Sequence, residues 1–319
     1  MSSEAKPLLE IRGLVKEFRG AAGNPLRAVK GVDLDVYPGE TLGLVGESGC
    51  GKSTLARCAL RLLEPDSGRI RFDGIDLNGL TPADLRRKRR EFQMVFQDPA
   101  ASLDPRMTVG QILAEPFDIH NLGNRAEREA RVHELLSLVA LEGSLVSRKP
   151  AALSGGQQQR VGIARALALK PRLIVADEPV SALDASVQAQ ILNLLIDLQK
   201  RFNLTLVLIA HSLAVVHYLC TRVVVMYLGR IVEEAEAADF FREPRHPYSR
   251  LLLGSMPSLE LANSQPESAG GDMPSPLNPP AGCAFHTRCP QVLPRCSGEI
   301  PVLQMTDGGG KTACFLCTS

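Results

Sequence analysis

The sequence predicts an α/β fold built around a parallel β-sheet, because three short apolar runs stand apart along the chain. These runs are TLGLVG at 41–46, LIVADEP at 173–179 and LTLVLIA at 204–210. Each has the length of a strand, and the strands of a parallel sheet are buried on both faces, which favours near-continuous apolar sequence. Polar residues at the ends of such strands are expected where α/β proteins bind ligands.

Length and composition are those of an ordinary globular protein. The 319 residues suffice for one large or two ordinary domains, and 36 basic residues nearly balance 35 acidic ones, so nothing indicates nucleic acid as a partner. The basic run RRKRR at 86–90 is interpreted as solvated surface. No apolar stretch approaches the ~20 residues of a membrane span, and MSSEAKPLLE at the start lacks the apolar region of a secretory signal, so we expect a cytoplasmic location.

The first apolar run leads into GESGCGKST at 46–54, which fits the pattern G-x-x-x-x-G-K-[ST]. A helical pattern follows, with Leu55, Ala59 and Leu62 expected on one face. Glycines let the backbone N–H groups of such a loop turn towards phosphates, and the N-terminus of the next helix adds its positive dipole end. Lys52 is expected to contact the β- and γ-phosphates, and Ser53 to bind Mg²⁺. The predicted nucleotide-binding residues of the loop are Gly46, Glu47, Ser48, Gly49, Cys50, Gly51, Lys52, Ser53 and Thr54.

Acidic residues end the second run, and a histidine follows the third. Asp177 is expected to be an outer partner of Mg²⁺ and its waters. Glu178 points elsewhere by strand alternation and is expected to take a proton from an attacking water. His211 could donate a hydrogen bond to a γ-phosphate, although a lone histidine is more often structural.

A second anion-binding helix terminus is predicted at LSGGQQQR, 153–160, although the chain has only one phosphate loop. A dimer resolves this mismatch, with the SGGQ helix of each protomer closing over the nucleotide that its partner holds. The residues expected in that contact are Ser154, Gly155, Gly156 and Gln157.

Taken in order, GESGCGKST, LSGGQQQR, LIVADEP, SALD and His211 resemble the ATPase subunit of an ATP-binding cassette (ABC) transporter, over roughly residues 8 to 240. The resemblance implies ATP and Mg²⁺ as cofactors and a RecA-like core with an antiparallel β subdomain and a helical subdomain. It further implies that Gln97 contacts Mg²⁺ and water, that Phe18 stacks on adenine, and that Asp184 lies on the loop between protomers. The implied magnesium site is Ser53, Gln97 and Asp177, and the implied catalytic residues are Glu178, His211 and Gln97.

One departure from the family pattern is Ser212, where members commonly have an aspartate after the histidine. We expect slower or differently regulated turnover at most. Other cassette ATPases fit less well. Chromosome and DNA-repair ATPases insert a long coiled coil where only 55 residues separate Gln97 from Leu153, and translation factors of this type carry two phosphate loops. An intact Glu178 argues against a purely binding or scaffolding role.

The predicted domains are a nucleotide-binding domain, 1–240, and a C-terminal extension, 241–319. Within the first, 1–40 is an antiparallel subdomain around the turn GAAGNP, 41–98 is core that resumes near 160, and 99–159 is helical. The helical part has an apolar stripe, and contacts with membrane subunits are expected around 98–120. The stripe comprises Val132, Leu135, Leu136 and Val139, and a second amphipathic helix is predicted over ASVQAQILNLLIDLQKRF.

The tail sequences FREPRHPYSRLLL and PSPLNPPAGCAFHTRCP resemble the C-terminal extension of the ATPase subunits of dipeptide and oligopeptide importers. Nickel importers share this architecture, so nickel or another small solute stays an alternative. The resemblance implies two transmembrane permease subunits and a second cassette of different sequence as partners. It implies a periplasmic or extracellular peptide-binding protein indirectly, and a peripheral position at the cytoplasmic face of the inner membrane.

Four cysteines of the extension, Cys283, Cys289, Cys296 and Cys314, have the spacing C-x5-C-x6-C-x17-C. Disulfides are uncommon in the cytoplasm, and the spacing differs from the tight pairs of structural zinc sites. A segment with little core of its own often needs a metal to hold it together. The resemblance makes a [4Fe–4S] cluster the first interpretation of that metal. Zinc is the second, and His286 and Cys317 are further candidate ligands. In either case we expect the ATP site to be complete without this extension.

Overall fold

The computed structural model describes residues 6–19, 25–255, 273–306 and 309–317. Its strands are β1 (Leu9–Arg19), β2 (Pro25–Val36), β3 (Thr41–Val45), β4 (Ser67–Phe72), β5 (Ile75–Asp76), β6 (Phe92–Val95), β7 (Leu173–Asp177), β8 (Thr205–Ile209), β9 (Arg222–Tyr227), β10 (Arg230–Glu236), β11 (Gln304–Met305) and β12 (Lys311–Thr312). Its α-helices are α1 (Lys52–Ala59), α2 (Pro82–Lys88), α3 (Pro99–Ser102), α4 (Val109–Ile119), α5 (Arg125–Leu138), α6 (Gly155–Leu167), α7 (Ala185–Phe202), α8 (Leu213–Leu219), α9 (Ala237–Arg242) and α10 (Pro247–Gly254). Short 3₁₀ helices cover Gly143–Ser147, Pro150–Ala152 and Pro294–Ser297.

The chain divides into two compact units, one of Met1–Asn78 with Ala210–Ser319 and the other of Gly79–Ile209. The first unit contains an antiparallel sheet in the order β2-β1-β4-β5. Its hairpin β1–β2 agrees with the antiparallel subdomain predicted for 1–40, whereas residues 20–24 of the predicted turn lie outside the described residues. The assignment of all of 41–98 to the core is wrong for β4 and β5, because β4 pairs with β1.

A second group of strands in the first unit carries the phosphate loop. Strand β3 pairs in parallel with β9, and both strands are fully buried, which suits their apolar sequences. Strand β10 then pairs antiparallel with β9, and the tail strands β12 and β11 follow in antiparallel order. The C-terminal extension is therefore part of this unit, and its strands extend this sheet.

Helix α1, which follows the phosphate loop, is shorter than predicted. Leu55 and Ala59 are buried on one face, as expected, but the helix ends at Ala59 and Arg61 takes a left-handed backbone conformation. Leu62 consequently lies outside the helix and is 45% exposed, so its assignment to the same helical face as Leu55 and Ala59 is wrong.

The second unit combines three parallel strands with most of the helices. The strands lie in the order β6-β7-β8, and every residue of β7 and β8 is buried. Helices α3 to α6 begin in the predicted helical stretch, and the apolar stripe of α5 is confirmed, since Val132, Leu135, Leu136 and Val139 are all buried. The helix predicted after SALD is α7. Across the described part of the chain, no helix is long and apolar enough to cross a membrane.

Candidate functional site

The phosphate loop runs from the end of β3 to the start of α1, as predicted. Gly51 caps α1 with a φ of 109°, a backbone conformation that side chains strongly disfavour. A Cβ atom placed there would lie 2.2 Å from the carbonyl oxygen of Ala28. Glycine is therefore required at this position for two reasons: its backbone conformation, and the close approach of the backbone of Ala28.

Lys52 is the buried cation of this loop. Its side chain folds back over the loop, and Nζ donates to the carbonyl oxygens of Gly46 at 2.8 Å and Glu47 at 3.0 Å. Only 4% of the residue is exposed. A buried ammonium needs oxygen partners, so the loop holds the charge of Lys52 at the point where phosphates bind in loops of this kind.

The side chain of Glu47, in the phosphate loop, contacts a residue far along the chain. Its carboxylate accepts two hydrogen bonds from Arg288, at 2.9 and 3.0 Å. Its backbone N–H donates to the hydroxyl of Tyr248 at 2.8 Å. Two residues of the C-terminal extension therefore contact the loop, which the sequence analysis did not predict.

In the second unit, Asp177 and Glu178 stand at the end of β7, and Asp177 is completely buried. Glu178 has a φ of 47°, and a left-handed glutamate costs roughly 1–3 kcal/mol. This conformation takes Glu178 off the line of the strand, and the side chain accepts a hydrogen bond from the Nε2 of Gln97 at 2.7 Å. The predicted base and the predicted loop glutamine thus lie in direct contact.

The SGGQ segment forms the start of α6. Ser154 caps the helix, its hydroxyl accepting from the N–H of Gln157 while the side chain of Gln157 accepts from the N–H of Ser154. Gly155 is exposed and Gly156 is buried. A Cβ atom at Gly156 would come within 2.5 Å of the Cγ1 of Val187, so glycine lets α6 begin against the first turn of α7.

Asp184 has a local role that the sequence argument missed. Its carboxylate caps α7 by accepting from the N–H of Val187 at 3.0 Å. A loop between protomers is not tested by a single chain, and that assignment stays a prediction.

Phe18 and His211 are both exposed in the first unit. Phe18 lies on β1, is 39% exposed, and has the Nζ of Lys16 5.6 Å from its ring centroid. His211 lies two residues beyond β8, and Ser212 precedes α8 without capping it through its side chain.

The cysteines of the extension do not fit a metal cluster in this structure. Among the residues it describes, no three His, Cys, Asp or Glu side chains are placed to hold a metal ion together. None of these cysteines forms a disulfide, and the backbone N–H of Cys283 donates to the carbonyl oxygen of Cys296 at 2.8 Å. The segment was expected to need a metal because it lacked a core, but Phe285 is 1% exposed and packs against Tyr227 and Tyr248. Neither the [4Fe–4S] cluster nor the zinc alternative is supported.

Two protein-family models match this chain, one over the nucleotide-binding region and one over the C-terminal region. A model described as "ABC transporter" matches residues 29–181, which include the phosphate loop, the SGGQ segment and Glu178. A model described as "Oligopeptide/dipeptide transporter, C-terminal region" matches residues 232–296, which include Tyr248 and Arg288.

Individual relatives match almost the whole chain. A protein of Brucella ovis with the provisional name peptide import ATP-binding protein is 50% identical over 310 residues, covering 97% of this chain and 98% of its own length. The oligopeptide transport ATP-binding protein AppF of Bacillus subtilis is 46% identical over 325 residues, covering 99% of each.

Solved structures match the greater part of the chain. An ATP-binding cassette solved as a dimer in a post-hydrolysis state, bound to ADP and Pi, has a TM-score of 0.66 and 32% identity, over 72% of this chain and 98% of the other. A cassette of the cbiONQ transporter complex of Clostridium perfringens has a TM-score of 0.64 and 30% identity, over 74% and 91%.

Proposed function

The chain belongs to the family of ABC transporter ATP-binding proteins, and from this premise we propose that it is the ATP-hydrolysing subunit of an importer of dipeptides or oligopeptides. The ATPase part of the proposal is supported by the phosphate loop and by the contact between Gln97 and Glu178. The peptide part is supported by relatives named for peptide import and by the matched C-terminal region.

The single observation that best supports ATP binding is the position of Lys52. Its ammonium is buried in the phosphate loop and is oriented by the carbonyl oxygens of Gly46 and Glu47. A cation held in this way at the start of a helix is suited to the β- and γ-phosphates of a nucleotide. The remaining loop residues, from Ser48 to Thr54, would contribute backbone and hydroxyl contacts.

Ser53, Gln97 and Asp177 are proposed to hold Mg²⁺. Hydroxyl, amide and carboxylate oxygens are the hard donors that Mg²⁺ prefers, so the donor set fits the ion. Bound Mg²⁺ would neutralise charge on the phosphates. Glu178 is proposed to accept the proton of the attacking water, and Gln97 orients its carboxylate through the 2.7 Å hydrogen bond. His211 is proposed to donate to the γ-phosphate.

The other assignments concern partners. Phe18 is proposed to stack on adenine, and the Ser154–Gln157 segment to contact ATP held by a second cassette, with Asp184 on the loop between them. Closure of the two cassettes over ATP would drive the conformational change of two transmembrane permease subunits, which would contact this chain around residues 98–120. The chain would then act peripherally at the cytoplasmic face of the membrane, and a peptide-binding protein would deliver substrate from the other side.

The test of the ATPase assignment uses two variants of the full chain. Glu178→Gln should keep MgATP binding but abolish turnover when the chain is assembled with its permeases, because the amide cannot accept a proton. Lys52→Ala should weaken MgATP binding itself. Wild-type hydrolysis by the Glu178→Gln assembly would show that the base is elsewhere.

The substrate assignment needs a transport measurement. Vesicles or cells that contain the assembled importer should accumulate labelled dipeptide or oligopeptide in an ATP-dependent way, and the Glu178→Gln variant should not. ATP-dependent uptake of Ni²⁺ without uptake of peptide would refute the peptide assignment and leave the ATPase assignment intact.

A further inference from the structure

Two residues of the C-terminal extension contact Glu47 in the phosphate loop, one at its main chain and one at its side chain. The backbone N–H of Glu47 donates to the hydroxyl of Tyr248 at 2.8 Å. The carboxylate of Glu47 receives two hydrogen bonds from the guanidinium of Arg288, at 2.9 and 3.0 Å. Main chain and side chain of the same loop residue are thus fixed from the tail.

The Arg288 contact is of a strong kind. The two hydrogen bonds are charge-assisted and bidentate, a geometry that constrains orientation as well as distance. The side chain of Arg288 is 9% exposed and that of Glu47 is 26% exposed, so solvent screens the pair only partly. The carboxylate of Glu47 raises the pKa of Arg288 above its ordinary value, which agrees with a cation stabilised in place.

Tyr248 reaches the loop from a fixed position. It lies in the first turn of α10, and its N–H donates to the Nδ1 of His246 at 3.0 Å. The carboxylate of Glu233, on β10, accepts from the backbone N–H groups of Arg245 and His246, each at 2.8 Å. The start of α10 is therefore anchored to the sheet, which fixes the backbone from which the side chain of Tyr248 extends.

Arg288 is also fixed by its surroundings. Its backbone N–H donates to the carbonyl oxygen of Phe285 at 3.0 Å, and Phe285 is buried. The ring centroid of Phe285 lies 5.4 Å from those of Tyr227 and of Tyr248. One aromatic cluster thus supports both residues that contact Glu47.

Holding Glu47 also orients Lys52. The carbonyl oxygens that accept from the Nζ of Lys52 belong to Gly46 and Glu47. Glu47, which the C-terminal extension contacts, therefore provides one of the two acceptors. A binding loop that is already ordered loses less conformational entropy when its ligand arrives, which raises affinity.

We propose that Tyr248 and Arg288 are positioning residues for ATP binding, which hold Glu47 and, through its carbonyl group, Lys52 in the conformation that receives the phosphates. This inference rests on the proposed ATPase function. Neither residue touches the nucleotide, and the extension acts on ATP only through the loop.

The experiment is a titration of the purified full chain with a fluorescent ATP analogue in the presence of Mg²⁺. Arg288→Gln and Tyr248→Phe should each raise the dissociation constant, by about tenfold for Arg288→Gln because it removes both charge-assisted bonds. Arg288→Lys keeps the charge and should recover part of the loss. Arg295→Gln is the matched control, because Arg295 also lies in the tail but donates to the carbonyl oxygen of Phe315.

A double-mutant cycle distinguishes positioning from a general loss of structure. In a Glu47→Gln background, Arg288→Gln should have little further effect on affinity, because the proposed coupling to the nucleotide runs through the carboxylate of Glu47. Equal effects of Arg288→Gln in both backgrounds would overturn the inference, as would a lowered melting temperature with unchanged affinity. Lys52→Ala distinguishes a failure of this inference from a failure of the proposed ATPase function. If it weakens binding while Arg288→Gln and Tyr248→Phe do not, only this inference fails, and if Lys52→Ala leaves binding unchanged, the proposed function fails with it.

Discussion

Replacing Phe285 by alanine tests whether the C-terminal extension is an integral part of the first unit. The side chain is 1% exposed and contacts the rings of Tyr227, Tyr248 and His246, with centroids 5.4, 5.4 and 5.7 Å away. Burying an aromatic side chain removes roughly 150–250 Å² from water, which at about 25 cal/mol per Å² corresponds to roughly 4–6 kcal/mol. The alanine keeps part of this burial but leaves a cavity, so Phe285→Ala should lower the free energy of unfolding by about 3–5 kcal/mol.

The measurement is urea unfolding of the full chain, followed by circular dichroism. Val302→Ala is the control within the same segment, because Val302 is 74% exposed, and its effect should stay within about 0.5 kcal/mol. A loss below about 1 kcal/mol for Phe285→Ala would refute the reasoning. It would mean that the tail is docked loosely and adds little to the core.

Three further predictions concern local geometry. Gly156→Ala should lower the melting temperature, because the new Cβ atom would lie 2.5 Å from the Cγ1 of Val187, and adding Val187→Ala should recover most of the loss. Asp184→Ala should cost about 1 kcal/mol in urea unfolding through loss of the α7 cap, while Asp184→Asn should cost much less, and equal costs would exclude capping as the cause. Burial lowers the pKa of His246 from its usual 6.5 to about 3, so the unfolded chain binds one more proton over that interval. The free energy of unfolding should therefore fall as pH drops below about 6.5, by up to about 1.4 kcal/mol per pH unit from this group, and urea unfolding at pH 7 and 5 should show a smaller drop for His246→Asn.

The sequence predicted best those features that depend on neighbouring residues. The three apolar runs are strands β3, β7 and β8, because a strand buried on both faces leaves a local signature. The phosphate loop was recognisable for a similar reason, since its glycines and Lys52 act within one turn of chain. The run RVVVMY of β9 is apolar and fully buried in the same way.

Pairing between distant strands could not be predicted in this way. Strands β4 and β5 join the antiparallel sheet although their sequence follows the phosphate loop and α1, and nothing in SGRIRF indicates that its partner is β1. The tail strands β11 and β12 are two residues long, too short for any periodic pattern, and their place beside β10 depends on the fold of the whole unit.

The metal expected in the extension, which the structure does not support, rested on a definite argument. Many turn residues and few large apolar ones suggested a segment without a core, which favoured a metal as its support. The structure instead docks one aromatic residue, Phe285, into a cluster supplied by β9 and α10. A single buried side chain gives no sequence pattern, and its partners lie 58 and 37 positions earlier in the chain.

The contacts of Glu47 connect the extension to nucleotide binding in both directions. Glu47 is 201 positions from Tyr248 and 241 from Arg288, so these hydrogen bonds form only when the first unit is folded as a whole. If they tighten ATP binding by some factor, ATP must stabilise the same contacts by that factor, because linkage between two binding events is reciprocal. Anything that displaces Arg288 would then weaken the hold on ATP without touching the nucleotide. The extension, which the sequence suggested was remote from catalysis, is in this respect a second support of the phosphate loop.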